Sequence, residues 1–146
     1  MQIINSFRGE YAFLSNFYSC GINTPIGTFP SAENMFQAAK VDKRHMTPEL
    51  LRAFTTISPG DAKRLGRQVT LRDNWIEYHD RAMYQTVKHK FTQNPELAKK
   101  LIATYPTPLV EGNTWNDTYW GVCNGKGLNK LGKILMLVRR ELLANV

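Results

Sequence analysis

From Ala32 onward, apolar residues recur at i, i+3, i+4 and i+7 (Ala32, Met35, Phe36, Ala39), directly after Ser31. That period places one apolar stripe along a helix, and a serine ahead of it can accept a hydrogen bond from a free backbone N–H of the first turn. A second stripe runs through residues 73–91 with Met83, Val87 and Phe91 at i, i+4, i+8, and a third covers residues 128–143. Three further helix starts follow from capping chemistry: Thr47-Pro48-Glu49, Ser58-Pro59 and Asn94-Pro95-Glu96 each set a capping side chain before a proline suited to the first helical position. Shorter runs at residues 2–5, 17–22, 28–29 and 109–111, the last behind the breaker Tyr105-Pro106-Thr107-Pro108, have strand character. The expected fold is a predominantly helical α+β domain, six helices around a small sheet, filling residues 1–146 as one domain. Residues 6–30 and 111–127 stand out as long irregular stretches, and such stretches commonly carry function.

Polar positions sharpen the picture at one place. Glu33, Gln37 and Lys40 fall together on the flank of the first stripe, with Glu33 and Lys40 two turns, roughly 10 Å, apart. Either this is the wet edge of an amphipathic helix, or the two groups grip something bound between them. The net charge of +7 favours phosphate-bearing partners over cationic ones, although a basic surface is common without any such partner. Cys20 and Cys123 form neither a CxxC pair nor a Cys/His cluster, and His45, His79 and His89 lack metal-ligand spacing. Neither a disulfide framework nor a metal site is expected. The N-terminal residues lack the pattern of a signal peptide, and no apolar run approaches the roughly 18 residues of a membrane span, so the expectation is a cytoplasmic protein without a membrane partner.

Two loops hold the remaining candidate chemistry. The segment EGNTWNDTYWGVCNGKG combines Glu111, Asp117, Trp115, Tyr119 and Trp120 with glycines, a composition that suits ring stacking and close backbone approach to a ligand. Its glycine-rich end before the last helix can also offer N–H groups and Lys126 to a phosphate, yet turn glycines ahead of a helix look the same. The segment SFRGEYAFLSNFYS brings Arg8, Asn16 and Phe17 together with aromatics that are equally at home in a core, and Lys90 in KHKF lies close to the buried face of its helix.

Taken together and in this order, FRGEYAFLSNFY, PIGTFPSAENMFQAAK, KFTQNPELAKKLIAT, LVEGNTWNDTYWGV and GLNKLGKILMLVRREL resemble the NADAR superfamily, the YbiA-like proteins, over nearly the whole chain. The resemblance implies a compact α+β domain and a cofactor-free, metal-free N-glycosidase acting on a phosphoribosyl or ADP-ribosyl small molecule: an aminopyrimidine intermediate of riboflavin synthesis, or ADP-ribosyl-guanine, which also admits ADP-ribosylated nucleic acid as substrate. The positions matching the family's motifs are Glu33, Lys40, Trp75, Lys90, Glu111, Asp117, Trp120 and Asn129. Glu33, Lys40 and Asp117 are the catalytic candidates. Arg8, Asn16, Phe17, Trp75, Lys90, Glu111, Trp120, Gly121 and Asn129 are the substrate-binding ones. The chain departs from the family pattern at Asn34, Tyr105 and Cys123. Two mechanisms stay open: Lys40 attacks the anomeric carbon and forms an imine, or a charged Lys40 anchors substrate while a carboxylate activates water. Two other classes compete with the enzyme, a non-catalytic ADP-ribose or nucleotide-binding module and a nucleic-acid binder using the positive charge.

Overall fold

A computed structural model describes residues 2–146 of the chain. Its contacts divide it into two compact units, one contiguous over residues 16–94 and one assembled from residues up to 15 together with residues 95–146.

The contiguous unit opens with an antiparallel hairpin, β1 (Ser19–Thr24) and β2 (Gly27–Ser31), paired through Ile22 with Phe29, Asn23 with Thr28 and Thr24 with Gly27. The strands at 17–22 and 28–29 therefore exist, displaced by about two residues at their ends. Ser31 closes β2 and starts α1 (Ala32–Ala39), its hydroxyl accepting from the N–H of Asn34. After a short 3-10 turn at Lys43–His45 come α2 (Pro48–Thr56), α3 (Pro59–Gly66) and α4 (Trp75–Gln93). The helices begin where the capping chemistry puts them: Thr47 accepts from the N–H of Leu50 and Ser58 from that of Asp61. Helix α1 lies at the centre of the unit, against β2, α2, α3 and α4. One apolar cluster joins Phe29, Ala38, Val41, Phe54 and Ala62.

The second unit holds a 3-10 helix at Gly9–Leu14, then α5 (Pro95–Ala103) and α6 (Lys130–Ala144), which pack on each other. Residues 6–30 are thus less irregular than the sequence suggests, since they contain this turn of helix and the hairpin. The expected strands at 2–5 and 109–111 reduce to one parallel bridge between Ile4 and Leu109. Ile4 N–H donates to Pro108 O at 3.0 Å and Val110 N–H to Ile4 O at 2.8 Å. Pro106 and Pro108 have no N–H to extend the ladder. No helix of the described residues is long and apolar enough to cross a membrane.

Candidate active site

Within residues 16–94, the groups of interest collect around α1. Its first turn is fixed from three directions. The Ser31 hydroxyl donates to Asn34 Oδ1 at 2.5 Å, Asn34 Nδ2 donates to the carbonyls of Phe54 and Ile57 at 2.9 Å each, and Glu33 N–H donates to Asn16 O at 2.9 Å. Asn34, one of the departures from the family pattern, is thereby a wholly buried strut between α1 and the end of α2. Asn16 is buried as well, its Nδ2 donating to Met83 Sδ at 3.3 Å.

Glu33 and Gln37 are both inside the protein, which rules out the wet-edge reading for these two residues. Gln37 Nε2 donates to Glu33 Oε2 at 2.5 Å and so holds one carboxylate oxygen in place. Gln37 Oε1 is buried without a hydrogen-bond partner among the described residues. It lies against Gly66, where a Cβ would fall 1.9 Å from it, so only glycine leaves room for this side chain. Lys40 caps the C-terminal end of α1 instead of lying inside the helix. Its Nζ is 6.0 Å from the Phe36 ring centroid, and Trp75, the first residue of α4, packs on the same ring at 5.4 Å with the planes tilted by 51°. Burial pulls the Lys40 amine below the ordinary lysine range; the Glu33 carboxylate opposes that pull, while Arg67 and Lys63 add to it.

Lys90 keeps different company. It is 1% exposed on α4, beside the Phe91 ring at 5.1 Å and the Tyr18 ring at 5.7 Å, and burial brings its amine down to about 8. It does not snorkel. Phe17 is largely exposed.

The other unit carries Arg8, Glu111, Asp117, Trp120, Gly121 and Asn129. Asn129 adopts a left-handed backbone (φ 53°) before α6, a conformation asparagine tolerates better than most residues. Its Oδ1 accepts from Glu111 N–H at 2.9 Å and its Nδ2 donates to Leu109 O at 3.0 Å, so both ends of the amide hold residues 109–111. Asp117 Oδ1 accepts from the N–H groups of Tyr119 (3.1 Å) and Trp120 (2.9 Å) and shapes the turn that presents Trp120. Asn113, absent from the sequence-based candidates, ties this loop together: its Nδ2 donates to Glu111 Oε2 and Asp117 O, and its Oδ1 accepts from the N–H groups of Trp115 and Asp117. A Cβ on Gly121 would fall 1.7 Å from Glu111 Oε2. At the entry to α6 the N–H groups of Leu128, Lys130 and Leu131 already donate to the carbonyls of Thr118, Tyr119 and Trp120. Arg8 is exposed at the start of the 3-10 helix.

Gln37 and Asn113 hold candidate side chains in place, and sequence reasoning passed both over as chemistry. Gln37 had a signal, since it stands four residues after Glu33 on one helix face; Asn113 had none beyond its loop. Among the described residues no group of three His, Cys, Asp or Glu side chains is placed to hold a metal ion.

Comparison with known proteins agrees with the motif order. The NADAR domain profile matches residues 5–143. The chain is 40% identical to the N-glycosidase YbiA of Shigella flexneri serotype 5b (strain 8401), over 96% of this chain and 88% of that protein. It is 39% identical to a riboflavin biosynthesis protein of Vibrio vulnificus (strain YJ016), over 91% of this chain and 36% of that longer protein. The NMR structure of E. coli YbiA superposes with a TM-score of 0.83 at 36% identity, covering 99% of this chain and 88% of that one. On this match the chain belongs to the NADAR domain family.

Proposed function

We propose that this protein is an N-glycosidase, a hydrolase that cleaves the bond between a ribose carbon and a nitrogen in a phosphoribosylated or ADP-ribosylated compound. The observation that carries the mechanism is Lys40: an amine depressed by burial, beside the Phe36 ring on which Trp75 packs, with a carboxylate of fixed orientation on the helix it caps. A neutral lysine amine is a nucleophile, whereas an ammonium is not.

In the reaction, Lys40 Nζ attacks the anomeric carbon as the glycosidic C–N bond breaks, its electrons and a proton going to the departing base. Loss of the second Nζ proton opens the ribose ring to an imine, the ring oxygen taking up a proton. Water then adds to the imine carbon and expels the amine, releasing the sugar. Glu33 moves these protons, and Gln37 keeps its carboxylate aimed. The Trp75 ring, already packed on Phe36, offers a stacking face for the base. Asn16, Phe17 and Lys90, in the same unit, are assigned to substrate binding; the candidates Arg8, Glu111, Trp120 and Gly121 that the sequence offered lie in the other unit. Asp117 and Asn129 are reassigned as positioning residues, because their side chains are engaged with backbone groups of residues 109–120. One observation favours the competing route, in which Lys40 stays charged as an anchor and a carboxylate activates water: the Glu33 charge works to keep the proton on Lys40.

Borohydride trapping during turnover, read by intact-protein and peptide mass spectrometry, separates the two routes. The expected result is a sugar adduct on Lys40 and base release that is lost in Lys40→Ala. Base release without any adduct sinks the imine route and leaves the anchored-water route. Because the reactive form is the neutral amine, kcat/KM in the wild type rises with pH up to the depressed pKa of Lys40 and then levels. Tight ligand binding with no base release from any phosphoribosyl or ADP-ribosyl compound identifies a binding module instead.

A further inference from the structure

Where the chain leaves α1 it runs antiparallel to the segment that leads into α4. Val41 bridges to Leu71, Asp42 N–H donates to Thr70 O at 2.9 Å, and Arg72 N–H donates to Lys40 O at 2.8 Å. Beside this junction lies an open cleft of about 260 Å³ whose walls include Asp42, Lys43, Arg44, Arg72, Asp73 and Asn74. In sequence, Lys40 directly precedes Val41 at the start of one wall and Trp75 directly follows Asn74 at the end of the other; neither Lys40 nor Trp75 itself lines the cleft.

The charges in the cleft are unequally committed. Arg44 is paired with Asp42, Nε to Oδ1 at 3.1 Å and Nη2 to Oδ2 at 2.6 Å, so these two cancel. Asp73 is almost fully exposed and approaches Arg44 only to 3.9 Å. Arg72 is different. Its guanidinium lies over the Tyr78 ring at 4.0 Å and its Nε donates to Asn74 Oδ1 at 2.9 Å, while Nη1 and Nη2 make no hydrogen bond among the described residues. Stacking and the Nε bond fix the plane of the fork and leave its outer edge available. Lys43 likewise forms no ion pair among the described residues. A guanidinium immobilised in this way loses little rotamer entropy when it takes two oxygens of a phosphate, and lysine adds a second, less directional charge.

We propose that this cleft binds the phosphate of the substrate, with Arg72 as the bidentate group and Lys43 as the supporting cation; placing the sugar beside Lys40 rests on the N-glycosidase reading above. The assignment moves phosphate recognition away from Lys126, the group the sequence offered to a phosphate. It also gives the enzyme a reason to prefer a phosphorylated sugar.

Calorimetric titration of the full-length protein with ribose 5-phosphate, ADP-ribose and plain ribose tests the site directly. With Arg72→Ala, affinity for the phosphorylated probe that the wild type binds falls on the order of 10- to 100-fold, as expected for hydrogen bonds to a charged group. Arg72→Lys recovers only part of it, and the response to ribose is unchanged. Preference for ribose 5-phosphate over ADP-ribose marks a monoester site, and the reverse a diphosphate site. Unaltered phosphate affinity in Arg72→Ala overturns the proposal, as does a wild type that binds neither phosphorylated probe, or an equal loss of ribose in a variant with a lowered melting temperature. Turnover, measured alongside, keeps the two readings apart: Arg72-dependent binding with no base released retains the phosphate site and removes the N-glycosidase, and base release indifferent to Arg72 does the opposite.

Discussion

At the scale of single residues, Lys40 and Lys90 show how the same side chain is given two tasks by its surroundings. Burial lowers both amines, but a carboxylate near Lys40 offsets part of the effect, whereas Lys90 sits 1% exposed among Tyr18, Phe91 and the Cys20 thiol, and reaches about 8. A buried amine whose proton is held more weakly than in the unfolded chain makes stability depend on pH. Between about 8 and the ordinary lysine value of 10.5 the unfolded chain binds more protons than the folded one, so stability rises with pH across that window, by up to about 3 kcal/mol. Below about 8 the full penalty is present. Urea unfolding of wild type and Lys90→Met at several pH values across this window checks it; the wild type should gain stability with pH relative to Lys90→Met. The sequence shows Lys90 only as a lysine near the buried face of a helix. Its complete burial depends on Tyr18 and Cys20, some seventy residues earlier in the chain, which no local period reveals. Gln37 follows the same logic, since its place on the helix flank is legible and its grip on Glu33 is not.

At the scale of elements, capping chemistry proved a dependable guide because it is local: Thr47 and Ser58 each bond an N–H three residues on. Asn94 shows where the rule bends. Helix α5 begins at Pro95 as expected, yet the Asn94 amide donates backward to the carbonyls of Lys90 and Gly21 and so finishes α4 and secures β1. The bridge of Ile4 to Leu109 was unreadable as a single bridge, because neither run states how far the other will pair. The packing of α3 on α1 through Gly66 supplies a sharper test. In Gly66→Ala the new methyl displaces Gln37, the Glu33 carboxylate loses its donor, and kcat/KM falls about tenfold, roughly the value of one buried hydrogen bond to a charge. The melting temperature moves by no more than a few degrees. Adding Gly66→Ala to Gln37→Ala then costs little further activity, the signature of two residues acting through one contact. In the other unit, Asn129→Gly removes the two bonds to residues 109–111 but keeps the left-handed backbone. Asn129→Ala removes both features and should be less stable than the glycine variant by about 1 kcal/mol, measured from urea midpoints.

At the scale of the whole molecule, the net charge of +7 acts on any phosphorylated substrate before contact is made. Raising salt from about 0.05 to about 0.5 M shortens the Debye length and should reduce kcat/KM several-fold for a phosphorylated substrate while leaving a neutral riboside nearly unaffected, as steady-state assays at the two salt levels will show. The division of the chain into one contiguous unit and one built from its two ends has a different kind of consequence, felt during synthesis. Residues 16–94 can complete their contacts while α6 is still in the ribosome tunnel. The first fifteen residues cannot. Ile4 waits for Pro108 and Leu109, and the buried side chains of Phe13 and Leu14 belong to a unit whose remainder is made last. Residues 2–15 therefore lack their packing partners until residues 95–146 have been made, so exposure to misassembly is set by the time needed to translate residues 95–146.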